Sequence, residues 1–283
     1  MDRREFLALS AGVCLAPGSV QLSANQHTPI PIIDTHIHLF DTTRSQGVPW
    51  PEKNDKILYQ PALPGRYRSI AEKLGITGAI AVEASPWLED NRWLIDTAEN
   101  DKIIVGVIGN LEPGNPDFAK QLGRFQQSPL FLGIRYGNLW GHDIASQLKN
   151  PGFISDLRSL AREELVLDTA NPNPALLAAV VKLTDLVPDL KVVIDHLPQM
   201  SLPTDKAVEK LYEADLHELG QRPKVYVKIS EVLRRVNGQI PTELSFYRAR
   251  LDGLYNTFGE DRLLYGSDWP NSDQWLPFDM AGI

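Results

Sequence analysis

The sequence predicts a (β/α)₈ barrel, and three observations support this prediction. From Pro31 onward, eight short runs rich in β-branched residues alternate with amphipathic stretches of helix length. Intervals of a few tens of residues between successive runs suit strand–helix units joined by right-handed crossovers. The alternative, a doubly wound open sheet, usually has a glycine-rich nucleotide loop after its first strand, whereas this chain has His-x-His there. We therefore expect eight parallel strands closed into a barrel, a fold of ~250 residues.

Local patterns place the individual elements in order. The β-branched runs predict strands at residues 32–38, 79–84, 103–109, 131–135, 165–168, 191–195, 225–229 and 263–266. The stretches between them predict helices near residues 65–74, 87–100, 117–127, 154–164, 174–186, 205–219 and 243–258. Pro116 and Pro174 occupy first-turn positions, and Thr204 and Thr242 are candidate caps of the last two helices.

The end of the chain departs from the barrel pattern. Only 15 residues follow Asp268, and they contain two prolines and show no helical period. A complete barrel has an eighth helix there, which covers the outer face between the first and last strands. We therefore expect the barrel to lack its eighth helix, which would leave an apolar seam exposed.

Composition excludes several classes of function. The 283 residues are 43% hydrophobic and 23% charged, which is ordinary for a soluble globular protein. The 28 Lys and Arg against 36 Asp and Glu give a net charge of −8, which argues against nucleic-acid and anionic-membrane partners. The single cysteine, Cys14, excludes a disulfide framework, a thiolate zinc site and a CxxC redox centre.

The first segment is typical of an export signal. An Arg-Arg-x-Phe-Leu sequence at residues 3–7, an apolar run and small residues near residue 24 are similar to a bacterial twin-arginine signal. An ordinary amphipathic first helix is the alternative. We therefore expect residues 1–24 to be a signal, residues 25–283 to form one domain, and the protein to be periplasmic.

Polar residues cluster where the predicted strands end. In the first strand, Asp34, His36 and His38 are spaced two apart, so their side chains lie on one face, toward the barrel axis. Two histidines with this spacing can chelate one metal ion, which binds neutral imidazole nitrogens. The plainer alternative is two core histidines with Asp34 as their hydrogen-bond partner.

The ends of the other strands favour a functional site. They carry Glu83 on the second strand, Arg135 on the fourth, Asp168 on the fifth, His196 after the sixth and Asp268 on the eighth. Three of the six histidines therefore lie at predicted strand ends, where barrel enzymes place their chemistry.

Two of these residues indicate chemical roles. An arginine at a barrel mouth suits a substrate carboxylate or phosphate, so Arg135 predicts an anionic small-molecule substrate. The alternative is a salt bridge from Arg135 to Glu83 or Asp168. Asp268 can bind a metal or act as general base on a water molecule. The alternative role of Asp268, a helix N-cap, is weakened because no helix is predicted after it.

Six fragments together resemble a known family. IDTHIH, VEAS, GIRYG, VIDHLP, VKIS and LLYGSDWP, in this order, are similar to the amidohydrolase superfamily. Within it they resemble the amidohydrolase-related branch, often described as metal-dependent hydrolases, which includes sugar-lactone and pyrone-dicarboxylate lactonases. The likeness runs from residue 32 to residue 275 and implies hydrolysis of a small carbonyl substrate, foremost a lactone or similar cyclic ester.

The resemblance implies roles for individual residues. His36 and His38 correspond to the family's His-x-His on strand one, and His196 corresponds to the histidine after strand six. Asp268 corresponds to the aspartate that ends strand eight, which in relatives is the general base or a ligand of the metal that activates water. Arg135 corresponds to an arginine that often faces a substrate carboxylate or carbonyl. Asp268, His196 and Arg135 are therefore expected to be catalytic.

The resemblance also implies which residues surround the substrate. Contacts are expected from Arg135, Tyr136, Trp269 and Glu83. Many relatives have histidine at the position of Tyr136 and glycine at that of Glu231, so these two residues are expected to shape the pocket, and the specificity of relatives does not transfer.

Differences between this chain and the two-metal members of the superfamily determine the expected metal content. Superfamily members with two metals have a lysine or glutamate on strand four and a histidine on strand five, where this chain has Arg135 and Asp168. One divalent ion of zinc type is therefore expected, with His36, His38, His196 and Asp268 as ligands and Glu83 as a further candidate. Some lactonases of this branch work without metal, so a metal-free mechanism stays open.

Two other functions are alternatives. Decarboxylases of the same superfamily share the His-x-His and the aspartate of strand eight, but they have a histidine where this chain has Asp168. A truncated, non-catalytic barrel is the second alternative, suggested by the short end of the chain.

Overall fold

The computed structural model describes residues 30–277, and its eight parallel strands follow one another around one sheet in sequence order. The strands are Ile32–His38 (β1), Ile76–Val82 (β2), Ile104–Gly109 (β3), Phe131–Arg135 (β4), Val166–Thr169 (β5), Lys191–Ile194 (β6), Val225–Ile229 (β7) and Leu263–Tyr265 (β8). The helices are Pro64–Ala71 (α1), Asp90–Asn100 (α2), Phe118–Phe125 (α3), Ile144–Gln147 (α4), Pro151–Arg162 (α5), Pro174–Leu186 (α6), Lys206–Gly220 (α7) and Leu244–Phe258 (α8). The expected signal, residues 1–24, lies outside the described residues.

The segment that follows β8 returns to β1 and completes the barrel wall. His38 N donates to the carbonyl of Trp269 (2.7 Å), and Asp268 N donates to the carbonyl of His36 (2.8 Å). Asp34, fully buried, adds a side-chain link, because its Oδ1 accepts from Ser267 N at 2.9 Å. The predicted (β/α)₈ barrel is confirmed.

Most predicted boundaries agree with the structure. The strands expected at residues 32–38, 131–135 and 225–229 have the observed bounds, as does the helix expected at residues 174–186. β2 starts earlier than expected, at Ile76, because Gly75 ends the preceding turn with φ 75° and Ile76 already pairs with Ile32. The single-turn helix α4 was not predicted, and its N-cap is Asp143, which accepts from two backbone N–H groups.

Little regular structure follows β8 among the described residues. Within residues 30–277, only a short 3₁₀ turn, Asn271–Gln274, follows β8. All three residues of β8 are only partly buried, whereas β6 has three fully buried residues of four. Between residues 30 and 277, no helix is both long and apolar enough to cross a membrane.

Gly133 on β4 provides a stability prediction. A Cβ at this position would lie 2.2 Å from the carbonyl oxygen of Val166 on the paired strand, so the backbone itself would have to move. We expect Gly133→Ala to lower the free energy of unfolding in urea by about 3 kcal/mol, at the upper end of overpacking effects. The matched control is Gly65→Ala, where nothing lies within 4 Å of the added Cβ. Equal stability of the two variants would contradict the tight β4–β5 packing.

Candidate active site

A pocket opens at the carboxyl end of the barrel, where the polar residues at the strand ends lie. Its volume is about 170 Å³. It is lined by His38, Trp50, Ala84, Arg135, Leu139, Trp140, Ala170, Asn171, His196, Glu231, Asp268 and Asn271. The pocket therefore combines apolar walls with a polar floor, which is the usual composition of a small-molecule site.

Three imidazoles converge on one carboxylate at the pocket floor. Nε2 of His38 lies 3.1 Å from Asp268 Oδ1, that of His36 at 3.5 Å and that of His196 at 4.0 Å. The Nε2 atoms of His36 and His38 are 3.3 Å apart. The structure therefore brings together the four residues that the sequence predicts as metal ligands.

Hydrogen bonds behind the rings hold the histidines in place. His38 Nδ1 lies 3.0 Å from the carbonyl oxygen of Val82, which can only accept, so the proton is on Nδ1 and the Nε2 lone pair faces the cluster. His196 Nδ1 lies 2.8 Å from Ser230 Oγ. His196 also has a φ of 52° and Asp268 a φ of 58°, a left-handed backbone uncommon outside glycine and often found at functional sites.

Burial controls the protonation of the cluster. Desolvation lowers the pKa of His38 to about 4 and lowers those of His36 and His196 well below the usual value. It raises the pKa of Asp268 to about 6, even though hydrogen bonds to Glu231 and Asn271 favour the charged form. Neutral imidazoles beside a carboxylate are the form in which these side chains bind a metal.

Glu231 stands beside Asp268 and shares its environment. Burial, together with the charge of Asp268, raises the pKa of Glu231 to about 9. Asn271 Nδ2 donates to Glu231 Oε1 and to Asp268 Oδ2, both at 2.6 Å, and so holds the two carboxyl groups side by side. The pair therefore retains a proton near neutral pH when no other cation is close.

The floor of the pocket fits a divalent cation. Asp268 Oδ1 is buried and accepts no hydrogen bond from any residue between 30 and 277. The ligand atoms of His36, His38 and Asp268 lie within 4.8 Å of one another, as do those of His196, Glu231 and Asp268. The Nε2 lone pair of His38 and the Asp268 carboxylate, which face each other at 3.1 Å, are stabilised by a shared cation. Two or three histidines with a carboxylate are a donor set of zinc type.

A buried ion network lies below the histidines, and sequence reasoning missed its centre. Lys228 on β7 is 2% exposed, and its Nζ lies 2.5 Å from Asp168 Oδ2, 3.1 Å from Asp195 Oδ1 and 3.2 Å from His36 Nδ1. The ammonium group thus donates to Asp168 Oδ2 and His36 Nδ1 and forms an ion pair with Asp195. The sequence signal that could have identified Lys228 is a lysine within an otherwise apolar strand. Its position in the strand's alternation directs the side chain inward.

Arg135 and Glu83 are engaged with each other. Arg135 Nε donates to Glu83 Oε1 at 2.8 Å, and Nη2 donates to the carbonyl of Glu83 at 2.7 Å. Glu83 also accepts from Trp140 Nε1 at 3.0 Å and from Ser85 N at 2.9 Å. The salt bridge that the sequence left as an alternative therefore forms. Glu83 anchors Arg135 and Trp140 and does not line the pocket, whereas Arg135 does.

The sequence of this chain matches the profile of a known protein family. The amidohydrolase family profile matches residues 33–282, nearly all of the described chain. The chain belongs to the amidohydrolase family. It is therefore a hydrolase, as the six sequence fragments imply.

Several individual proteins are similar to this amidohydrolase over most of its length. An L-fucono-1,5-lactonase from Burkholderia ambifaria is 24% identical over 246 residues, which are 85% of this chain and 80% of the relative. A 4-sulfomuconolactone hydrolase from Rhizobium radiobacter is 26% identical over 252 residues, 87% of this chain and 78% of the relative. A crystal structure of an amidohydrolase from Burkholderia multivorans with bound zinc has a TM-score of 0.75 at 21% identity, covering 89% of each chain. That likeness shows the common barrel fold.

Besides Glu83, two more residues expected to contact substrate lie outside the pocket of this amidohydrolase. Tyr136 is 4% exposed and packs against His142 and Phe153. Trp269 is fully buried and packs against Tyr67 of α1. Successive side chains of an extended chain point to opposite faces. Tyr136 follows the inward-facing Arg135 and Trp269 follows the inward-facing Asp268, so both side chains face outward. The expected substrate contacts of Tyr136 and Trp269 are thus corrected to packing contacts between sheet and helices.

Proposed function

We propose that this amidohydrolase opens a small lactone by adding water to its carbonyl carbon. The observation that carries the proposal is Asp268 Oδ1, buried without a hydrogen bond and faced by three neutral imidazoles at the floor of a pocket. Two relatives whose names describe lactone hydrolysis support the substrate class.

Asp268 transfers the proton in this reaction, and Asn271 positions Asp268. Asp268 Oδ1 accepts a proton from the attacking water as the new C–O bond forms to the carbonyl carbon. The ring C–O bond then breaks, and the proton passes from Asp268 to the leaving ring oxygen, giving a hydroxy acid. Asn271 Nδ2 keeps Asp268 in place by donating to Oδ2, which leaves Oδ1 directed at the water.

His36, His38, His196 and Asp268 would hold one divalent ion of zinc type, which would support the same chemistry. When bound, such an ion polarises the carbonyl and lowers the pKa of water toward ~7. The histidines contribute neutral nitrogens and need no deprotonation at neutral pH, because burial has already lowered their pKa values. The zinc in the structure of the Burkholderia multivorans amidohydrolase supports this choice of metal.

Metal content provides a direct prediction. We expect purified protein to hold about one equivalent of zinc by elemental analysis after dialysis against metal-free buffer. Removal by a chelator is expected to lower the melting temperature, because an ion that binds only the folded state stabilises it, and to lower lactone hydrolysis at least about 10²-fold. His38→Ala should lose the metal, while His217→Ala, a histidine of α7, should keep it. Full activity without any bound metal would select the metal-free mechanism.

The reaction is tested by following acid release from a panel of lactones and simple esters. Each substrate is measured with the wild-type protein and with Asp268→Asn. We expect acid release from five- and six-membered lactones that depends on Asp268. Release of CO₂ from aromatic or enol acids, with no lactone opened, would instead indicate the decarboxylase alternative.

The N-terminal sequence supports export to the periplasm as a further part of the proposal. Replacing the Arg-Arg pair at residues 3–4 by Lys-Lys should retain the full-length precursor in the cytoplasm, because twin-arginine signals depend on that pair. Cell fractionation with antibody detection measures the distribution. An unchanged cytoplasmic location of wild type and variant would refute export.

A further inference from the structure

The last three strands are each followed by a residue that has a left-handed backbone and carries a metal-binding side chain. His196 follows β6, Glu231 follows β7 and Asp268 follows β8, and their φ angles are 52°, 47° and 58°. Such angles are strained for residues other than glycine and are often found at functional sites. His196 and Asp268 already belong to the expected metal ligands, whereas the reaction described above gives Glu231 no role.

The backbone at residue 231 turns the side chain of Glu231 into the pocket. Lys228 and Ser230 are buried and face inward, where they contact His36 and His196. If the chain stayed extended, the next side chain would face outward, because successive side chains of extended chain point to opposite faces. The left-handed φ breaks this alternation, and Glu231 lines the pocket instead.

The carboxyl group of Glu231 lies among the other donor atoms of the floor. One of its oxygens lies within 4.8 Å of a ring nitrogen of His196 and of an oxygen of Asp268, and the ligand atoms of His36, His38 and Asp268 meet the same limit. Asp268 belongs to both groups, and no residue in the described range 30–277 donates a hydrogen bond to its buried Oδ1. By distance, Glu231 is therefore as well placed to bind an ion at the floor as the histidines of β1.

Contact between the two carboxyl groups also favours a cation. Glu231 and Asp268 share a hydrogen bond, and Asn271 Nδ2 donates to one oxygen of each at 2.6 Å, which holds them side by side. Two carboxylates in contact repel each other unless a positive charge lies between them. A proton supplies that charge in the hydrogen-bonded pair, and a divalent ion bound by both carboxylates supplies it equally well.

We propose that Glu231 is a ligand of the divalent ion, so that three histidines and two carboxylates form the donor set. The second carboxylate raises the share of oxygen donors and therefore favours Mn²⁺, which suits carboxylate ligands, relative to Zn²⁺, which suits imidazole. This inference rests on the metal ion in the proposed function and does not depend on the identity of the lactone.

A crystal structure of zinc-loaded protein tests the ligand directly. With anomalous scattering to locate the ion, we expect an oxygen of Glu231 at about 2.0–2.2 Å from it, the usual distance from zinc to a carboxylate oxygen. Asp268, a carboxylate of the expected donor set, is the internal reference. Zinc bound by the histidines and Asp268, with both Glu231 oxygens more than about 3 Å away, would overturn the inference.

Variants of Glu231 distinguish a ligand from a hydrogen-bond partner of Asp268. Glu231→Gly suits the φ of 47°, and Glu231→Gln can still donate to Asp268 but has no charge. In competition titrations with a metal-binding dye, we expect both variants to raise Kd about tenfold for Zn²⁺ and about 10²-fold for Mn²⁺. Glu213→Gln, at an exposed position on α7, is the matched control. Wild-type affinities in Glu231→Gln would overturn the inference, and equal losses for the two ions would overturn the ion preference.

Thermal melting gives a readout that a purely structural role would not produce. In the presence of a chelator, Glu231→Gly should melt at or above the wild-type temperature, because glycine adopts a φ of 47° without strain. Added zinc should raise its melting temperature less than that of the wild type, because weaker binding stabilises the folded state less. A lower melting temperature with chelator, together with an unchanged gain from zinc, would make Glu231 a structural residue.

The outcomes separate this inference from the proposed function. If the wild type binds no divalent ion, both this inference and the metal of the proposed function are refuted, whatever lactones the protein opens. If the wild type binds zinc and opens lactones while both Glu231 variants bind the two ions as tightly, the proposed function stands and Glu231 is not a ligand.

Discussion

Asp268→Asn is expected to lower kcat/KM for lactones by about 10²- to 10⁴-fold, the contribution typical of a positioned general base. The amide has the shape of the carboxylate, and its oxygen can still accept from Asn271 Nδ2, which donates to Asp268 Oδ2 in the wild type. An amide nitrogen at the position of Oδ1 cannot accept a proton from water. The loss should therefore appear mainly in kcat, measured by steady-state hydrolysis at pH 7.5.

The stability of the same variant should change in the opposite direction. Burial raises the pKa of Asp268 to about 6, so the folded state disfavours its ionised form, and stability from this group falls as pH rises above its unfolded value of ~3.9. In metal-free protein at pH 7.5, Asp268→Asn should therefore melt at or above the wild-type temperature. Asp252→Asn, at an exposed position on α8, should change neither activity nor melting. An active Asp268→Asn enzyme would remove Asp268 from the mechanism.

Local periodicity accounts for the part of the site that sequence could predict. His36 and His38 lie on the inner face because they are two residues apart on β1, and this spacing needs no tertiary information. His196 and Asp268 were located by strand ends, because parallel strands of a barrel end at one face. The same alternation, applied to the neighbours of Arg135 and Asp268, would have directed Tyr136 and Trp269 outward.

The rest of the site depends on loops and on charges from distant strands. Trp50 and Trp140 reach the pocket from loops whose paths no periodic pattern encodes. The Arg135–Glu83 pair was foreseen only as one of two outcomes, because choosing between a salt bridge and a free cation needs the distance between β4 and the end of β2. A hydrogen bond from Asn271 Nδ2 to Glu231 Oε1 holds both residues beside Asp268. It joins two loops that are far apart in sequence.

Lys228→Met is expected to lower the free energy of unfolding by about 3–5 kcal/mol, because it leaves Asp168 buried without its ion-pair partner and Asp195 with only Arg135, 3.9 Å away. Burial raises the pKa of Asp168 to about 7 even with the ammonium beside it, so the carboxylate is costly to ionise once Lys228 is removed. Urea unfolding at pH 7.5 measures the loss. Asp168→Asn in the Lys228→Met background should recover part of it, and purely additive losses would contradict a direct pairing.

The same substitution should move a proton on His36. Lys228 Nζ can only donate, and it lies 3.2 Å from His36 Nδ1, so the neutral ring carries its proton on Nε2 in metal-free protein. Without the ammonium, Asp195 Oδ2, 3.6 Å from Nδ1, becomes the nearest acceptor and favours the proton on Nδ1. Two-bond ¹H–¹⁵N spectra of histidine-labelled, metal-free protein distinguish the two tautomers. The His38 tautomer, fixed by the Val82 carbonyl, provides the internal control.

That proton has a consequence for metal binding. Coordination through His36 Nε2 requires the proton to lie on Nδ1, where Asp195 can accept it, so Lys228 and Asp195 compete for the same ring atom. Lys228 thus stabilises the fold through the buried aspartates while favouring the tautomer that does not ligate. If His36 in metal-free Lys228→Met protein keeps its proton on Nε2, the ammonium does not control the tautomer, and the network below the pocket is structural alone.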